Sequence, residues 1–168
     1  HDINFDISCG DRIALRGKNG AGKSSIIKLI CGENINYTGE FRCGRGVNIS
    51  YIPQDTSHLK GSLKDYSVRN NIDESLFKAI LRKLDFSRVQ FEKNIENFSR
   101  GQKKKVLIAR SLCEQAHLYI WDEPLNYIDV LSRIQIEQLL IEFKPTLLFV
   151  EHDTAFSDSI ATSIVNLD

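Results

Sequence analysis

The chain has 168 residues, 42% of them hydrophobic, and its 22 basic residues balance 22 acidic ones. A chain of this length ordinarily folds as one domain with a single core. The balanced charge argues against a nucleic-acid or membrane-surface binder that is charged as a whole, but it leaves room for a local basic patch.

Segments that would direct the chain into or across a membrane are not recognisable in the sequence. No apolar run approaches the ~20 residues that a membrane-spanning helix needs, and no signal peptide is found. We therefore expect no membrane insertion and a cytoplasmic location. The sequence lacks methionine and opens with His1 and Asp2, which predicts a segment of a longer polypeptide.

The cysteines favour the same location. Cys9, Cys31, Cys43 and Cys113 form no C-x-x-C pair and lie in or beside apolar stretches. This pattern is typical of buried thiols in a reducing compartment rather than of a disulfide framework or a zinc site.

The order of strands and helices predicts an α/β fold. Apolar residues alternate over residues 3–7 and 13–15, which predicts two strands, and a helix is predicted from Gly22 to Gly32. The remaining predicted elements are strands over 39–43 and 47–52, a helical region over 62–97, a helix capped by Ser99, a strand over 118–121, a helix over 130–143, a strand over 146–150, a short helix over 155–160 and a strand over 163–167. Such alternation predicts a mostly parallel sheet that is covered on both faces.

A glycine-rich motif joins a predicted strand to the first helix. Its residues are Gly17, Lys18, Asn19, Gly20, Ala21, Gly22, Lys23 and Ser24, followed by Ser25. The glycines let successive N–H groups point inward and form a nest for phosphate, which the positive end of the helix extends. Lys23 would contact the β- and γ-phosphates, and the Ser24 hydroxyl would bind Mg²⁺. The alternative is a glycine-rich turn before an ordinary helix.

Two adjacent carboxylates follow the buried strand over residues 118–121. Asp122 emerges beside the predicted phosphate site and suits a Mg²⁺ ligand, direct or through water. Adjacent side chains on an extended chain point to opposite sides, so Glu123 can orient or deprotonate the water that attacks the γ-phosphate. A positioned general base typically contributes ~10²- to 10⁴-fold in rate. The alternative for Glu123 is a solvated residue before Pro124.

Two more polar residues follow predicted strands. The Gln54 amide can reach Mg²⁺ or the attacking water, although a glutamine in this position means nothing by itself. His152 can donate a hydrogen bond to the γ-phosphate. A lone histidine is more often structural, but the carboxyl edge of an open α/β sheet is where ligands bind.

A second anion site is predicted at a later helix, which Ser99, Arg100, Gly101 and Gln102 open. Its N–H groups and dipole are equivalent to about half a positive charge. One domain would not close this site and the glycine-rich loop around the same nucleotide. We therefore predict a partner domain placed head to tail, in which each domain supplies this segment to the other's ATP.

These motifs resemble, in type and order, those of the ATP-binding cassette (ABC) ATPases over nearly the whole chain. The resemblance assigns residues 17–24 to the Walker A motif, Gln54 to the Q-loop, residues 99–102 to the signature, Asp122 and Glu123 to the Walker B motif and catalytic glutamate, Asn126 and Asp129 to the D-loop, and His152 to the switch histidine. It implies an ATP hydrolase with ATP and Mg²⁺ as cofactors, the metal being held by Ser24, Gln54 and Asp122. It also implies that activity needs a second cassette, in the same polypeptide or in a homodimer.

The same resemblance implies a domain organisation. The α/β fold would be a P-loop NTPase core, whose mostly parallel sheet is flanked by helices, with an inserted ABC-type helical subdomain. Residues 1–168 would then form a single nucleotide-binding domain. Its core would comprise residues 1–54 and 105–168, and the helical insert about 55–104.

Two details resemble the soluble ABC-F branch of the family. Lysines at 103–105 follow the signature, and the D-loop has the form Asn-x-x-Asp at Asn126 and Asp129. The chain looks most like the second cassette of ABC-F proteins that protect ribosomes from lincosamide, streptogramin A and pleuromutilin antibiotics. This implies the ribosome and its RNA as partners and a role in antibiotic resistance. The alternative is the motor subunit of an ABC transporter, with a membrane subunit as its partner.

Arg100, the lysines at 103–105 and Phe5 each carry an expectation of their own. Arg100 stands where most signatures have glycine, which places a cation near the partner's γ-phosphate or in solvent. The lysines at 103–105 could contact ribosomal RNA phosphates, but we favour a solvated helix face. Phe5 is expected in the core, because the aromatic residue that stacks on adenine lies further upstream in the family.

Overall fold

A computed structural model describes residues 2–168. Its elements are, in chain order, β1 (Arg12–Arg16), α1 (Lys23–Ile30), β2 (Ile49–Ile52), α2 (Leu63–Arg69), α3 (Glu74–Lys83), α4 (Arg88–Phe91), a 3-10 turn (Ile95–Asn97), α5 (Arg100–Cys113), β3 (Leu118–Asp122), α6 (Val130–Phe143), β4 (Leu147–Val150), α7 (Thr154–Ile160) and β5 (Ser163–Asn166). The predicted alternation of strands and helices is confirmed. Within residues 2–168, no helix combines the length and apolarity that crossing a membrane requires.

The strands form one five-stranded sheet in the order β2-β3-β4-β1-β5. Each pair of neighbours is parallel, which confirms the predicted sheet type. In the register, Trp121 near the end of β3 lies beside Ile52 of β2 and Phe149 of β4. The carboxyl ends of these strands therefore meet along one edge, which positions the segments that follow them.

Alternate residues of β1, β2, β3 and β4 belong to two cores, one on each face of the sheet. In β3, Leu118 and Ile120 pack with Ile27 of α1, while Tyr119 and Trp121 join the larger core that includes α3, α5, α6 and α7. Full burial of a large apolar side chain contributes ~1.5–3 kcal/mol. The sheet is thus covered on both faces, as predicted.

The region between β2 and α5 is helical, as predicted, and packs through one apolar face. Phe77, Ile80 and Leu81 of α3 are buried against α5. Leu76 of the same helix is 48% exposed because it lies beside that face. The division of the chain into core and insert at about residues 55 and 104 stays a prediction.

Two predicted strands are wrong. Residues 3–7 and 39–43 lie outside the sheet. Phe5 and Ile7 are partly buried against the α1 face of the sheet, so their alternation reflects packing rather than strand pairing, and Phe5 belongs to the core as expected. Residues 39–43 are exposed and contribute no large buried side chain.

The cysteines are all free thiols, but the prediction that they are buried is wrong for half of them. Cys9 and Cys43 are exposed, whereas Cys31 and Cys113 are partly buried. Burial raises the pKa of both partly buried thiols, to about 11 for Cys113, with nearby carboxylates adding to the effect. These two thiols therefore stay protonated, and poorly nucleophilic, at neutral pH.

Candidate active site

The predicted site residues converge on the carboxyl edge of the sheet. There β1 leads into the glycine-rich loop, β2 into Gln54, β3 into Glu123 and β4 into His152. The Glu123 N–H donates to the Val150 carbonyl at 2.9 Å, which continues the pairing of β3 and β4 past the strand ends. Chain segments that are distant in sequence thereby come together on a rigid frame.

The glycine-rich loop has a backbone that suits an anion. Gly20 and Gly22 have φ values of 85° and 104°, which L side chains rarely adopt. A Cβ at either position would meet nothing within 4 Å, so the backbone conformation rather than crowding requires glycine. Gly22 is the N-cap of α1 and brings no side-chain acceptor. The first-turn N–H groups of α1 are therefore left for a ligand.

Lys23 lies across this loop. Its ammonium donates to the carbonyls of Gly17, at 2.6 Å, and Lys18, at 2.9 Å. Ser24 and Ser25, in the first turn of α1, are exposed to solvent. A phosphate group fits this arrangement, because the loop and the start of α1 offer N–H donors and Lys23 offers an ammonium beside them.

Asp122 is the buried carboxylate of the site, at 6% exposure. Gln54 Nε2 donates to its Oδ1 at 3.0 Å. Burial raises the pKa of Asp122, Glu123 raises it further, and the bond from Gln54 together with Lys104 and Lys23 opposes the rise. A buried carboxylate beside another one favours a bound cation.

Glu123 is held in an unusual backbone conformation and by two side chains. Its φ of 51° is positive, which costs ~1–3 kcal/mol for a residue other than glycine. Its Oε2 accepts a hydrogen bond from Asn126 Nδ2 at 2.8 Å, and its Oε1 lies 3.1 Å from His152 Nε2. The carboxylate is therefore aimed by residues from two different segments.

Glu151 is a residue of the site to which the sequence assigned no role. Its Oε2 accepts from the Leu125 N–H at 3.1 Å, and its Oε1 accepts from the His152 N–H at 2.9 Å. It thereby fixes the segment after Glu123 to the segment that carries His152. The only available signal was its place next to His152 at a strand end.

The signature segment opens α5 with a complete capping box. Gln102 N–H donates to Ser99 Oγ at 3.2 Å, and Ser99 N–H donates to Gln102 Oε1 at 2.9 Å. This confirms Ser99 as the N-cap. Within residues 2–168, no hydrogen bond joins residues 99–102 to the glycine-rich loop.

The signature segment instead contacts the segment after Glu123. The Arg100 guanidinium lies 5.3 Å from the Tyr127 ring centre, and its Nη1 donates to the Tyr127 hydroxyl at 3.1 Å. A Cβ on Gly101 would lie 2.4 Å from the Tyr127 carbonyl oxygen, so only glycine fits there. Arg100 is therefore stacked on a ring of its own chain, a position that we did not predict.

The prediction of a solvated lysine face after the signature is wrong for two of its three members. Lys104 is 3% exposed and Lys105 is 7% exposed. Lys105 forms an ion pair with Asp129 at 2.9 Å, and Asp129 also caps α6 by accepting from the Ser132 N–H at 3.0 Å. Burial would raise the pKa of Asp129, but the hydrogen bonds from Lys105 and Ser132 lower it well below its usual range.

Lys104 lies near the carboxylates of Asp122, Glu123, Glu151 and Asp55, which together form the acidic edge of the site. Its Nζ donates to the Pro53 carbonyl at 3.3 Å. Burial lowers the pKa of Lys104, while Asp122, Glu123 and other carboxylates oppose that change. Among residues 2–168, no cluster of three or more His, Cys, Asp and Glu residues could hold a metal by itself. A metal at Asp122 would therefore need ligands of other kinds, such as hydroxyl, amide or phosphate oxygens.

Comparison with known proteins identifies relatives of this chain. Residues 1–126 match the family described as ABC transporter. The chain is 32% identical over 168 residues to the ATP-binding protein Uup of Caulobacter vibrioides, covering 95% of this chain and 28% of that protein. It is 30% identical over 168 residues to the ribosome protection protein VmlR of Bacillus subtilis, covering 96% and 30%. The chain thus spans less than a third of either relative.

A solved structure shares the fold. The ATP-binding subunit of an ABC transporter superposes with a TM-score of 0.75 at 26% identity, and the match covers 98% of this chain and 78% of that one. This likeness confirms the predicted fold class, an α/β fold with a mostly parallel sheet between helices.

Proposed function

This chain belongs to the ABC transporter family of ATP-hydrolysing domains, and we propose that it serves as one of two cassettes of an ABC-F protein that acts on the ribosome. The prediction of an ABC ATPase cassette of ABC-F type is confirmed by the family match and by the relatives Uup and VmlR. The observation that carries the proposed ATP hydrolysis is the cluster of Gln54, Asp122, Glu123 and His152 at the sheet edge that also bears the glycine-rich loop.

The glycine-rich loop would hold the triphosphate of ATP. Its N–H groups and the start of α1 would bind phosphate oxygens, and Lys23 would exchange its contacts with the Gly17 and Lys18 carbonyls for the β- and γ-phosphates. The remaining loop residues, Lys18, Asn19, Gly20, Ala21 and Gly22, would contribute mainly backbone, and Ser25 would lie beside Ser24 on the first turn of α1.

Ser24, Gln54 and Asp122 are the residues that would hold Mg²⁺. Their hydroxyl, amide and carboxylate oxygens are hard ligands of the type that this ion prefers. Bound Mg²⁺ would neutralise negative charge on the phosphates. The hydrogen bond between Gln54 and Asp122 keeps two of these side chains together before any ligand arrives.

Glu123 would accept the proton of the attacking water. Asn126 and His152 hold one oxygen each of its carboxylate, so the base is aimed before the reaction begins. His152 is largely exposed, at 60%, and would be free to exchange this contact for the γ-phosphate. We propose Glu123 as the catalytic base, with His152 and Gln54 as the groups that respond to the phosphate and the metal.

A second cassette would complete the site. The signature, residues 99–102, is tied to the segment of Tyr127 and not to the loop that would bind ATP. Its helix N-terminus would therefore contact the ATP of a partner cassette, and the partner's signature would contact the ATP bound here. Asn126 and Asp129 would lie at the border between the two, as D-loop residues.

The ribosome is the partner that we propose for the whole protein. The support is the lysine-rich signature, the Asn-x-x-Asp form of the D-loop and the similarity to a ribosome protection protein. Closure of the two cassettes on ATP would drive binding to the ribosome, and hydrolysis would release it. Protection of the ribosome from antibiotics, in the cytoplasm, is the role we propose.

The motor subunit of a membrane transporter is the second candidate. The structural match to a transporter's ATP-binding subunit favours it. In that case the helical region around α2 and α3 would receive a membrane subunit, and ATP hydrolysis would proceed at the same residues.

The test uses the longer protein that contains this chain, with and without Glu123→Gln. We expect the variant to retain ATP binding, to lose ~10²- to 10⁴-fold of the hydrolysis rate at this site, and to accumulate on ribosomes when ATP is present, as measured by sedimentation. Glu92→Gln, an exposed carboxylate remote from the site, is the matched control. Unchanged hydrolysis would contradict the role of Glu123, and recovery in the membrane fraction without ribosomes would favour a transporter.

A further inference from the structure

Lys104 is a buried cation that the mechanism above does not use. It is 3% exposed, and among the described residues its ammonium makes a single hydrogen bond, to the Pro53 carbonyl at 3.3 Å. An ammonium carries three N–H donors, and burying an ammonium without partners for its charge costs free energy. Its surroundings must therefore stabilise the charge.

The stabilising charges are those of the candidate active site. Burial lowers the pKa of Lys104, and the negative charges of Asp122, Glu123, Glu151 and Asp55 oppose that change. The neighbouring Lys105 forms an ion pair with Asp129. In the described part of the chain, Lys104 forms no ion pair. Lys104 therefore acts on the acidic edge as a whole rather than on one partner.

The position of Lys104 links three segments of the site. It lies on α5, shortly after the signature, and reaches the residue before Gln54, whose amide in turn donates to Asp122. A cavity of about 390 Å³ separates the start of α5 from residues 54–57. Lys104 lines this cavity, and its bond to the Pro53 carbonyl ties α5 to the residue before Gln54.

We propose that Lys104 is a positioning residue for ATP hydrolysis. Its charge keeps the Gln54 segment and the carboxylates of Asp122 and Glu123 in the arrangement that hydrolysis needs, and it ties that arrangement to the helix that carries the signature. This inference rests on the proposed function. It predicts that the charge at position 104 matters for turnover and little for nucleotide affinity, because within residues 2–168 no hydrogen bond or ion pair joins Lys104 to the glycine-rich loop or to α1.

The experiment compares Lys104→Met, Lys104→Gln and Lys104→Arg in the longer protein with its partner cassette. We expect methionine and glutamine to lower kcat by ~10- to 100-fold, as loss of positioning does. KM and the affinity for a fluorescent ATP analogue should stay close to the parent values. Arginine should restore most of the turnover, because it keeps the charge. Glutamine separates the charge from the hydrogen bond, since its amide can still donate to the Pro53 carbonyl.

Lys83→Met, an exposed lysine on α3, is the matched control and should leave kcat unchanged. Thermal unfolding of each variant checks the fold, and the glutamine variant decides the matter if the methionine variant does not fold. Wild-type turnover in the glutamine variant, or a loss that arginine does not rescue, would overturn the inference. If the parent protein itself hydrolysed no ATP, the proposed function and the role of Lys104 would both be rejected. If the parent were active and the Lys104 variants were unaffected, only the role of Lys104 would be rejected.

Discussion

At the scale of single residues, the candidate site depends on side chains that are aimed by others. Glu123 has a positive φ, and Asn126 and His152 each hold one of its carboxylate oxygens. Strain of this kind persists only where neighbouring contacts fix it. The backbone hydrogen bond from Glu123 to Val150 supplies such a contact, so the sheet itself holds the proposed base in place.

Lys23 allows the most direct test of the phosphate site. We expect Lys23→Ala to lower the affinity for a fluorescent ATP analogue by ~10-fold or more, because it removes both the cation for the phosphates and the contacts that hold the loop. The measurement is an equilibrium titration. Lys28→Ala, an exposed lysine in the last turn of the same helix, should bind as the parent does. An unaltered titration of the Lys23 variant would count against the phosphate site.

The lysines after the signature mark a limit of prediction from residue type. A run of three lysines at a helix start is usually solvated, and no local pattern distinguished Lys104 and Lys105 from Lys103. Their burial depends on Asp129 and on the acidic edge, which lie far away in sequence. Tertiary contacts of this kind cannot be inferred from one chain without its fold.

At the scale of elements, α5 and the segment that leads into α6 form one connected unit. Arg100 stacks on Tyr127, Gly101 lies against the Tyr127 carbonyl, and Lys105 pairs with Asp129. The signature and the D-loop are thereby fixed to each other. A displacement of one by a partner cassette would be transmitted to the other, and through Asn126 to Glu123.

Asp129→Asn tests this connection, because asparagine caps helices about as well as aspartate and removes only the charge that pairs with Lys105. The pKa of Asp129 is lowered in the folded chain, so its contribution to stability is present above the ordinary value of 3.8 and is lost as the pH falls through the folded-state pKa. We expect the variant to unfold more easily than the parent at pH 7. The difference should shrink as the pH drops below about 4.

Chemical denaturation across this pH range makes the comparison. Asp6→Asn, an exposed residue near the start of the chain, provides the control and should match the parent at every pH. A constant difference between Asp129→Asn and the parent from pH 7 downward would mean that the ion pair with Lys105 contributes nothing to stability.

At the scale of the whole molecule, the sequence predicted most of the sheet and helices because the local signals agreed with the tertiary structure. The helix over 130–143 and the N-cap at Ser99 are examples. The strands predicted over 3–7 and 39–43 failed, because alternation shows which residues face a core and not whether a neighbouring strand pairs with them. Local patterns were enough to place Gln54, Asp122, Glu123 and His152 at strand ends, while the contacts of Glu151 and the stacking of Arg100 depend on segments that the fold brings together.

The arrangement of the two cassettes can be tested through the signature. Ser99→Asp keeps an N-cap oxygen for the Gln102 N–H but adds a negative charge at the helix end that we propose for the partner's ATP. In a protein whose own site is silenced by Glu123→Gln, we expect the remaining hydrolysis, at the partner cassette, to fall ~10-fold or more because like charges repel. ATP binding to the glycine-rich loop of this chain should not change.

Ser87→Asp, at the N-cap of α4, applies the same change to a helix that we assign to no nucleotide and should leave the partner's hydrolysis intact. The two readouts, partner hydrolysis and binding at this chain's own loop, distinguish the possible arrangements. If Ser99→Asp instead weakened binding at the loop of its own chain and spared the partner, the signature would serve the same cassette. The head-to-tail arrangement would then be wrong, because each ATP would be enclosed by a single domain.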